Sequence, residues 1–433
     1  MASEIRVNSI HSRTGLSTVS LTDTGAVLSG VVTATTFSGP LTGNVTGNVT
    51  GNVTSTGGNL SGISTVSTTN LIVNGNNYPN VGPLSNRNLV INGACRVNQR
   101  QTTPSITVSS NTIGPVDHFE LRCNQNEWVG APTQETVSVN GEFTSCYRIK
   151  TTTAETTVDG QNQVVLESLI EGQDLQHLFH STSEAKSLTL SFWVRSSQPG
   201  TYVVKLYRLD GGNGRLLNKT YTIDSADTWQ YVSYTWVGDT AGNPIPDNVN
   251  EGMRVSWQIA AGPDYTSGTQ PTTWTAYSNA IWAAGHSENS FMTTVDATWD
   301  VTGVQLEVGS VATPFEHRMF VDELARCQRY YQKISGTVGN QIFCNMSAWS
   351  STSMYGCLYF QKPMRSAPTI TDTGNFEVYS AGSTPSASSL DFERISNERC
   401  RLFAATTGMT AGNGGWLEPE SGSPATIEFS AEI

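Results

Sequence analysis

Leu188, Leu190, Phe192 and Val194 alternate with Thr189, Ser191, Trp193 and Arg195. A period of two places the first set on one face of a strand and the second on the other. Comparable runs predict strands at Thr201–Leu209, Trp229–Val237, Arg254–Ala260 and Trp299–Val308, separated by turn clusters at 210–214 and 238–244. Beyond residue 334 a second set follows, at Ser353–Gln361, Thr369–Thr371, Phe376–Tyr379, Arg401–Ala405 and Thr426–Phe429. Only Phe320–Lys333 shows helical spacing. Asp322 and Glu323 fall in its first turn, Arg329 and Lys333 near its end, and Leu324, Cys327 and Tyr331 share a face. That face is expected to pack on the sandwich or on a neighbouring subunit.

The N-terminal region is patterned differently. Thr24 to Asn86 contains no Lys, Arg, Asp or Glu, and the tetrad Gly-Asn-Val-Thr occurs three times between Gly43 and Thr54. The flanks 29–36 and 61–68 share Ser, Gly and two Thr in register. Short repeats of this kind mark stacked or wound β structure. A period of four is neither the every-third-glycine rule of collagen nor a heptad of large apolar residues. One copy of so small-sided a segment buries too little apolar area to offset the entropy of ordering it. Three chains wound about one axis would bury the Val rows and pair the open strand edges. The expectation is an all-β homotrimer: a repetitive intertwined β stalk at 1–85, a central jelly-roll β-sandwich at 86–318, a linking helix at 319–333 and a smaller C-terminal β-sandwich at 334–433. The last would form a receptor-facing tip if the stalk is the anchored end.

Composition narrows the function classes. Charged residues are 14% of the chain, and the formal net charge of -12 leaves no basic face for neutralising phosphates, so no nucleic-acid partner is expected. The first ten residues lack an apolar core and no stretch approaches a membrane span, so neither an export signal nor membrane insertion is expected. The seven cysteines, Cys95, Cys123, Cys146, Cys327, Cys344, Cys357 and Cys400, are odd in number and widely spaced, which reads as reduced and mostly buried thiols. The Asn-Val-Thr triplets match the glycosylation sequon trivially, as any Asn/Thr repeat does.

Catalytic patterns are few. There is no Gly-x-Ser-x-Gly elbow, no His-Glu-x-x-His and no Walker loop. Gly211-Gly212-Asn213-Gly214 reads as a hairpin turn. His177 and His180, with Asp174 and Glu184 nearby, lack a further imidazole or thiolate, so no metal and no cofactor is expected. Asp391 with Glu393 and Glu418 with Glu420 each share a strand face, where carboxylates more often form a solvated rim than an acid–base pair. No enzyme activity is expected. Sugar binding needs flat aromatic rings beside hydrogen-bonding edges. Trp257, Tyr265, Trp274, Tyr277 and Trp282 crowd a Gly/Pro/Thr-rich stretch, and Trp349, Tyr355, Tyr379 and Trp416 are comparable in the last domain. The candidate carbohydrate-binding residues are Trp257, Tyr265, Trp274, Trp282, Trp349, Tyr355 and Trp416, although a sandwich core also needs large side chains.

The run Asn88-Leu89-Val90-Ile91-Asn92-Gly93-Ala94-Cys95-Arg96-Val97-Asn98-Gln99-Arg100 resembles the opening of a sandwich domain found in phage tail-fibre and virion structural proteins. Gly303–Gly309, Thr313–Arg318 and Glu323–Tyr331 resemble its closing strand and following helix. The fold between them is similar to jelly-roll carbohydrate-binding modules, and the Gly-Asn-Val-Thr repeats resemble those of marine cyanophage structural proteins. The resemblance covers about residues 88–333. It implies a virion protein assembled in a host bacterial cytoplasm, joined to other virion proteins through its N-terminal segment and attaching to host surface glycan. A purely structural particle component, such as a head fibre, decoration or baseplate protein, is the alternative, and a polysaccharide depolymerase the third.

Overall fold

The computed structural model describes residues 85–100, 111–209, 214–288, 290–337, 341–422 and 424–433 in full, with the backbone of five short strands nearer the N-terminus. Two compact units divide the chain, Met1–Val66 and Ser67–Ile433. In the first, β1 (Ser9–His11), β2 (Thr18–Thr22) and β3 (Gly25–Ser29) form an antiparallel sheet. In the second, β4 (Leu71–Val73) pairs antiparallel with β5 (Asn76–Tyr78). The repeats at 43–54 and, Ser29 apart, the matching flanks lie outside the described residues, as does most of the expected stalk at 1–85. Strand makes up 46% of the structure and helix 8%, which makes it an all-β protein.

The central domain is a two-sheet sandwich. Its strands are β6 (Thr112–Ile113), β7 (Glu120–Asn124), β8 (Val129–Val139), β9 (Phe143–Thr153), β10 (Gln163–Glu171), β11 (Leu188–Ser196), β12 (Gly200–Arg208), β13 (Arg215–Ile223), β14 (Gln230–Trp236), β15 (Glu251–Ala261), β16 (Thr275–Ala276) and β17 (Thr298–Val308). A seven-stranded sheet in the order β16-β13-β12-β15-β10-β7-β6 faces a five-stranded sheet in the order β14-β11-β17-β9-β8. The alternation read from the sequence sets the layers. Leu190, Phe192 and Val194 of one sheet meet Val255, Trp257 and Ile259 of the other in a single buried core. Burying each such side chain contributes about 1.5–3 kcal/mol.

One glycine keeps β17 in phase. Gly303 has φ +61°, and the β11–β17 register slips between Ser191 and Trp193, so a bulge lets Val301 and Val304 both face the core. A Cβ at this position would meet the Phe143 ring at 2.7 Å. The opening motif is sewn to this strand. The Asn88 amide donates to the Val304 carbonyl (2.8 Å), while its oxygen accepts from the backbone of Val90 and Leu306 (both 3.0 Å). Asn92 holds its own turn through Arg96, Val97 and the Asp117 carbonyl. The two end motifs therefore stand side by side.

Among the described residues three short α-helices, α1 (Pro263–Thr266), α2 (Ser290–Thr293) and α3 (Phe320–Cys327), and two 3-10 helices, Gly172–Leu178 and Asn279–Ile281, interrupt the strands. Helix α3 is shorter than the expected 319–333. Tyr331 already belongs to a strand, paired with Ser430, and the Tyr330 hydroxyl donates to the buried Glu171 carboxylate (2.6 Å). Strand pairing and this buried contact override the helical spacing of Gln328–Lys333. Glu323, on the first turn of α3, accepts the Asn92 backbone N–H at 2.6 Å.

The C-terminal domain comprises β18 (Tyr331–Gly336), β19 (Cys344–Ser350), β20 (Ser353–Tyr359), β21 (Thr369–Thr373), β22 (Phe376–Tyr379), β23 (Ser386–Ala387), β24 (Ser389–Glu393), β25 (Arg399–Ala405), β26 (Gly414–Pro419) and β27 (Ala425–Ser430). A three-stranded sheet, β18-β27-β21, and a seven-stranded sheet, β23-β22-β26-β19-β20-β25-β24, share a second core around Met354, Leu358, Val378, Leu402, Leu417 and Phe429. Arg365 ties it to the central domain by donating to the carbonyls of Val249, Ala431 and Glu432. None of the seven cysteines forms a disulfide. Six are buried and Cys357 is exposed.

Candidate functional site

The outer face of the seven-stranded central sheet is polar by alternation yet covered. On β15, Met253, Val255, Trp257 and Ile259 point inward, so Arg254, Ser256 and Gln258 point out. In register with Ser256 lie Lys205 of β12 and Glu167 of β10, all three fully buried. What covers them is the excursion 262–288, which crosses the sheet between β15 and α2. Gly262 lets it leave the sheet, since a Cβ there would lie 1.8 Å from the Asp159 carbonyl oxygen. Hydrogen bonds from Asn218 Nδ2 to the Ile281 carbonyl (2.7 Å) and from the Ala283 N–H to the Tyr265 carbonyl (2.8 Å) pin it down.

Between this excursion and the sheet opens a cleft of about 280 Å³, lined by Arg122, Gln163, Val165, Tyr207, Arg254, Tyr265, Tyr277 and Trp282. Three of its rings meet edge-to-face: Tyr207 with Trp282 and Tyr277 with Trp282 at 5.4 Å, Tyr207 with Tyr277 at 5.9 Å. Such a cluster is self-supporting and leaves part of Tyr277, 43% exposed, facing solvent. The Gly214 carbonyl accepts the Tyr277 N–H (2.8 Å), and a Cβ on Gly214 would strike the Tyr207 hydroxyl at 2.0 Å. Glycine at 214 is thus what leaves Tyr207 its position.

The polar half of the cleft is held by buried charge. Arg254 spends Nε and Nη2 on Glu251 and Nη1 on Glu167 (2.7 Å). Arg122 makes one hydrogen bond among the described residues, from Nη1 to Glu167 at 3.0 Å. Burial opposes a charge on Glu167, but Arg254, Arg122 and the Ser256 hydroxyl together hold its carboxyl below the usual range. Beneath Trp282, Lys205 Nζ sits 4.0 Å from the ring centroid and donates to Gln258 Oε1 (2.8 Å); burial pushes its pKa down to about 7. Gln163 donates to the Tyr265 hydroxyl (3.2 Å), and its own Oε1, which is buried, has no partner among the described residues. Aromatic edges, a guanidinium with open N–H groups and an unpartnered amide oxygen suit a polyhydroxylated ring.

The expected aromatic residues divide. Tyr265 and Trp282 line this cleft, as does Tyr277. Trp257 does not: it is fully buried in the core, its ring edge-on to Phe192 at 5.7 Å, so it is corrected from a binding to a packing role. Trp274 is also packed, with Nε1 bonded to the Val237 carbonyl (2.7 Å) and its ring edge-on to His180. His180 is correspondingly buried, and burial together with the Arg208 guanidinium lowers its pKa to about 4. Among the described residues no group of three His, Cys, Asp or Glu could hold a metal. Arg122, Gln163, Tyr207 and Arg254 were not anticipated. Tyr207 and Arg254 are outward positions on predicted strands, whereas Arg122 and Gln163 lie on β7 and β10, which were not predicted, and the cover that turns this face into a cleft is not a strand pattern.

A second aromatic surface occupies the outer face of the C-terminal seven-stranded sheet. Tyr379 stacks on Trp416 at 4.2 Å and 12°. Tyr355 packs against Phe403 (5.2 Å), with the Arg401 guanidinium 4.8 Å from its ring centre. Trp349 stands edge-on to Tyr355, 77% exposed. Trp349, Tyr355 and Trp416 therefore share one face, about 6.5 Å separating the centres of the first two rings, whereas the cleft lies on the other domain.

No protein-family model matches the chain, and no curated protein matches it. Among solved structures, similarity is found to the enzymatically active domain of tailspike protein 4 from bacteriophage CBA120, at 10% identity over 51% of this chain, with a TM-score of 0.29. The chain spans 21% of that tailspike's length. A family 30 carbohydrate-binding module is 12% identical over 52% of this chain and 97% of its own, TM-score 0.24. A family 11 carbohydrate-binding module from Clostridium thermocellum is 8% identical over 45% and 90% respectively, TM-score 0.24.

Proposed function

We propose that the chain binds glycans through the cleft on the outer face of its central sandwich, and that it does so as a trimeric fibre attaching a phage particle to a host surface. The cleft carries this reading: three mutually edge-on aromatic rings stand beside hydrogen-bonding groups that buried charge fixes in place. The resemblance of the paired motifs at 88–100 and 303–331 to virion structural proteins supports the setting. The uncharged N-terminal repeats support association of several copies. A trimer would hold three weak sites on one stalk, and avidity would multiply their strength if the geometry lets them engage together. The aromatic face of the C-terminal sheet supplies a second contact surface at the tip.

Screening the purified full-length protein on a glycan array tests this, with Tyr277→Ala as the control. Selective binding that Tyr277→Ala removes supports the cleft. Selective binding that survives it, and is lost instead on Trp349→Ala, moves the site to the tip. Binding to no glycan refutes the reading.

One observation favours the alternative of a purely structural particle component. Met319, Phe320 and Val321, 74%, 48% and 65% exposed, form an apolar run at the start of α3 suited to packing against another protein. Immunolabelling of intact particles, with adsorption blocked by antibody against the protein, separates the two.

A further inference from the structure

Resting on the reading of the cleft as a glycan site, we infer that its ligand is an acidic saccharide whose carboxylate is received by Arg122. The cleft lining contains two guanidinium groups and no carboxylate. This is unexpected on a chain of net charge -12. The one carboxylate that touches both, Glu167, lies fully buried in the floor; Glu251 is engaged by Arg254, and the half-buried Glu120 faces both arginines from outside the lining. The buried Lys205 amine sits behind Trp282 and does not face the cleft mouth.

The two arginines are not equivalent. Arg254 is engaged at all three of its nitrogens with Glu251 and Glu167 and acts as a strut. The Arg122 side chain is 36% exposed and, among the described residues, bound through Nη1, so Nε and Nη2 are the donors it can turn to the cleft mouth. A guanidinium receives a carboxylate through two parallel N–H···O bonds, an arrangement that neutral hydroxyls do not match. Glu167 steers Arg122 without neutralising it, because Arg254 and Ser256 share that carboxylate. Tyr277 supplies a partly exposed ring beside this fork, so a sugar ring resting on Tyr277 would bring a carboxylate carried on that ring within reach of Arg122. Nonulosonic and uronic acids both fit, and the shared element is a carboxylate on a pyranose.

The test uses the full-length protein and two probes, a glucuronate-terminated disaccharide and its glucose-terminated counterpart of the same linkage, titrated by calorimetry. The glucuronate probe is expected to bind about tenfold more tightly at low salt, an advantage that shrinks as ionic strength rises. Arg122→Gln should abolish the advantage, weakening the glucuronate probe about tenfold more than the glucose probe. Arg122→Lys, which keeps the charge opposite Glu167 and guards against misfolding, should retain part of it. Tyr277→Ala should weaken both probes. Equal affinity for the two, with Arg122→Gln altering neither and Tyr277→Ala weakening both, overturns the acidic-ligand inference and leaves the glycan cleft standing. Indifference of both probes to Tyr277→Ala overturns the cleft itself.

Discussion

Arg329 and Glu171 lie 158 positions apart and form a doubly bonded ion pair, Nε to Oε1 at 2.6 Å and Nη2 to Oε2 at 2.7 Å. Glu171 is the last residue of the central strand β10, and Arg329 leads into the first strand of the C-terminal domain, so the pair joins the two. Glu171 is fully buried and also accepts the Tyr330 hydroxyl. Arg329→Met would strand that carboxylate. Removing a partner from a fully buried pair costs about 3–5 kcal/mol, and with Arg329 a third exposed the loss here should be about 2–3 kcal/mol. Urea denaturation checks this, and an unchanged midpoint would show that the pair does not couple the domains.

Lys205 makes stability depend on pH in a definite direction. Its pKa falls from 10.5 unfolded to about 7 folded, so between those values the unfolded chain binds more protons. Stability from this group therefore rises as pH climbs from about 7 toward 10.5 and is level below 7. Lys205→Met should remove that rise. Melting temperatures of both proteins at pH 7 and pH 9 give the comparison, and parallel changes would mean that the lysine is charged in the fold.

Trp257 and Tyr277 should separate folding from binding. Trp257→Ala empties a core position and should cost about 3–5 kcal/mol of stability. Tyr277→Ala should cost under about 1 kcal/mol, because the ring is nearly half exposed, yet lower glycan affinity about tenfold or more. If Trp257→Ala left the protein stable and blocked glycan binding, the division between core and cleft drawn above would be wrong.

The alternation found β12 and β15 beneath the cleft, because a half-buried strand writes its two faces into a period of two, but β7 and β10, which carry Arg122, Gln163 and Glu167, were not among the predicted strands. Phe376–Tyr379 was read with its bounds intact. It did not reveal which tryptophan faced which way around the excursion 262–288, where the chain follows turns and short helices rather than a period. Trp257, Trp274 and Trp282 look alike in sequence. The first is on an inward strand position, the second is bonded to a neighbouring turn and the third roofs Lys205. Helix α3 was overread for a related reason: Tyr330 and Tyr331 fit a helical face, but their partners, Glu171 and Ser430, are distant in sequence.

Gly303 is the residue on which β17 turns its phase. Alanine there would occupy a left-handed conformation that costs about 1–2 kcal/mol, and its methyl group would press on the Phe143 ring. Gly303→Ala should thus destabilise the protein by about 2–4 kcal/mol by chemical denaturation. A loss below about 0.5 kcal/mol would show that β17 can pass this point without the bulge.

Cys357 faces solvent opposite Arg401 on the aromatic C-terminal sheet, while the other six thiols are enclosed. The native protein thus offers a single chemical handle on its C-terminal domain. A thiol-directed dye should react once per folded chain and seven times after denaturation, so an unaltered sequence can carry a fluorescent reporter beside the Trp349 and Tyr355 rings.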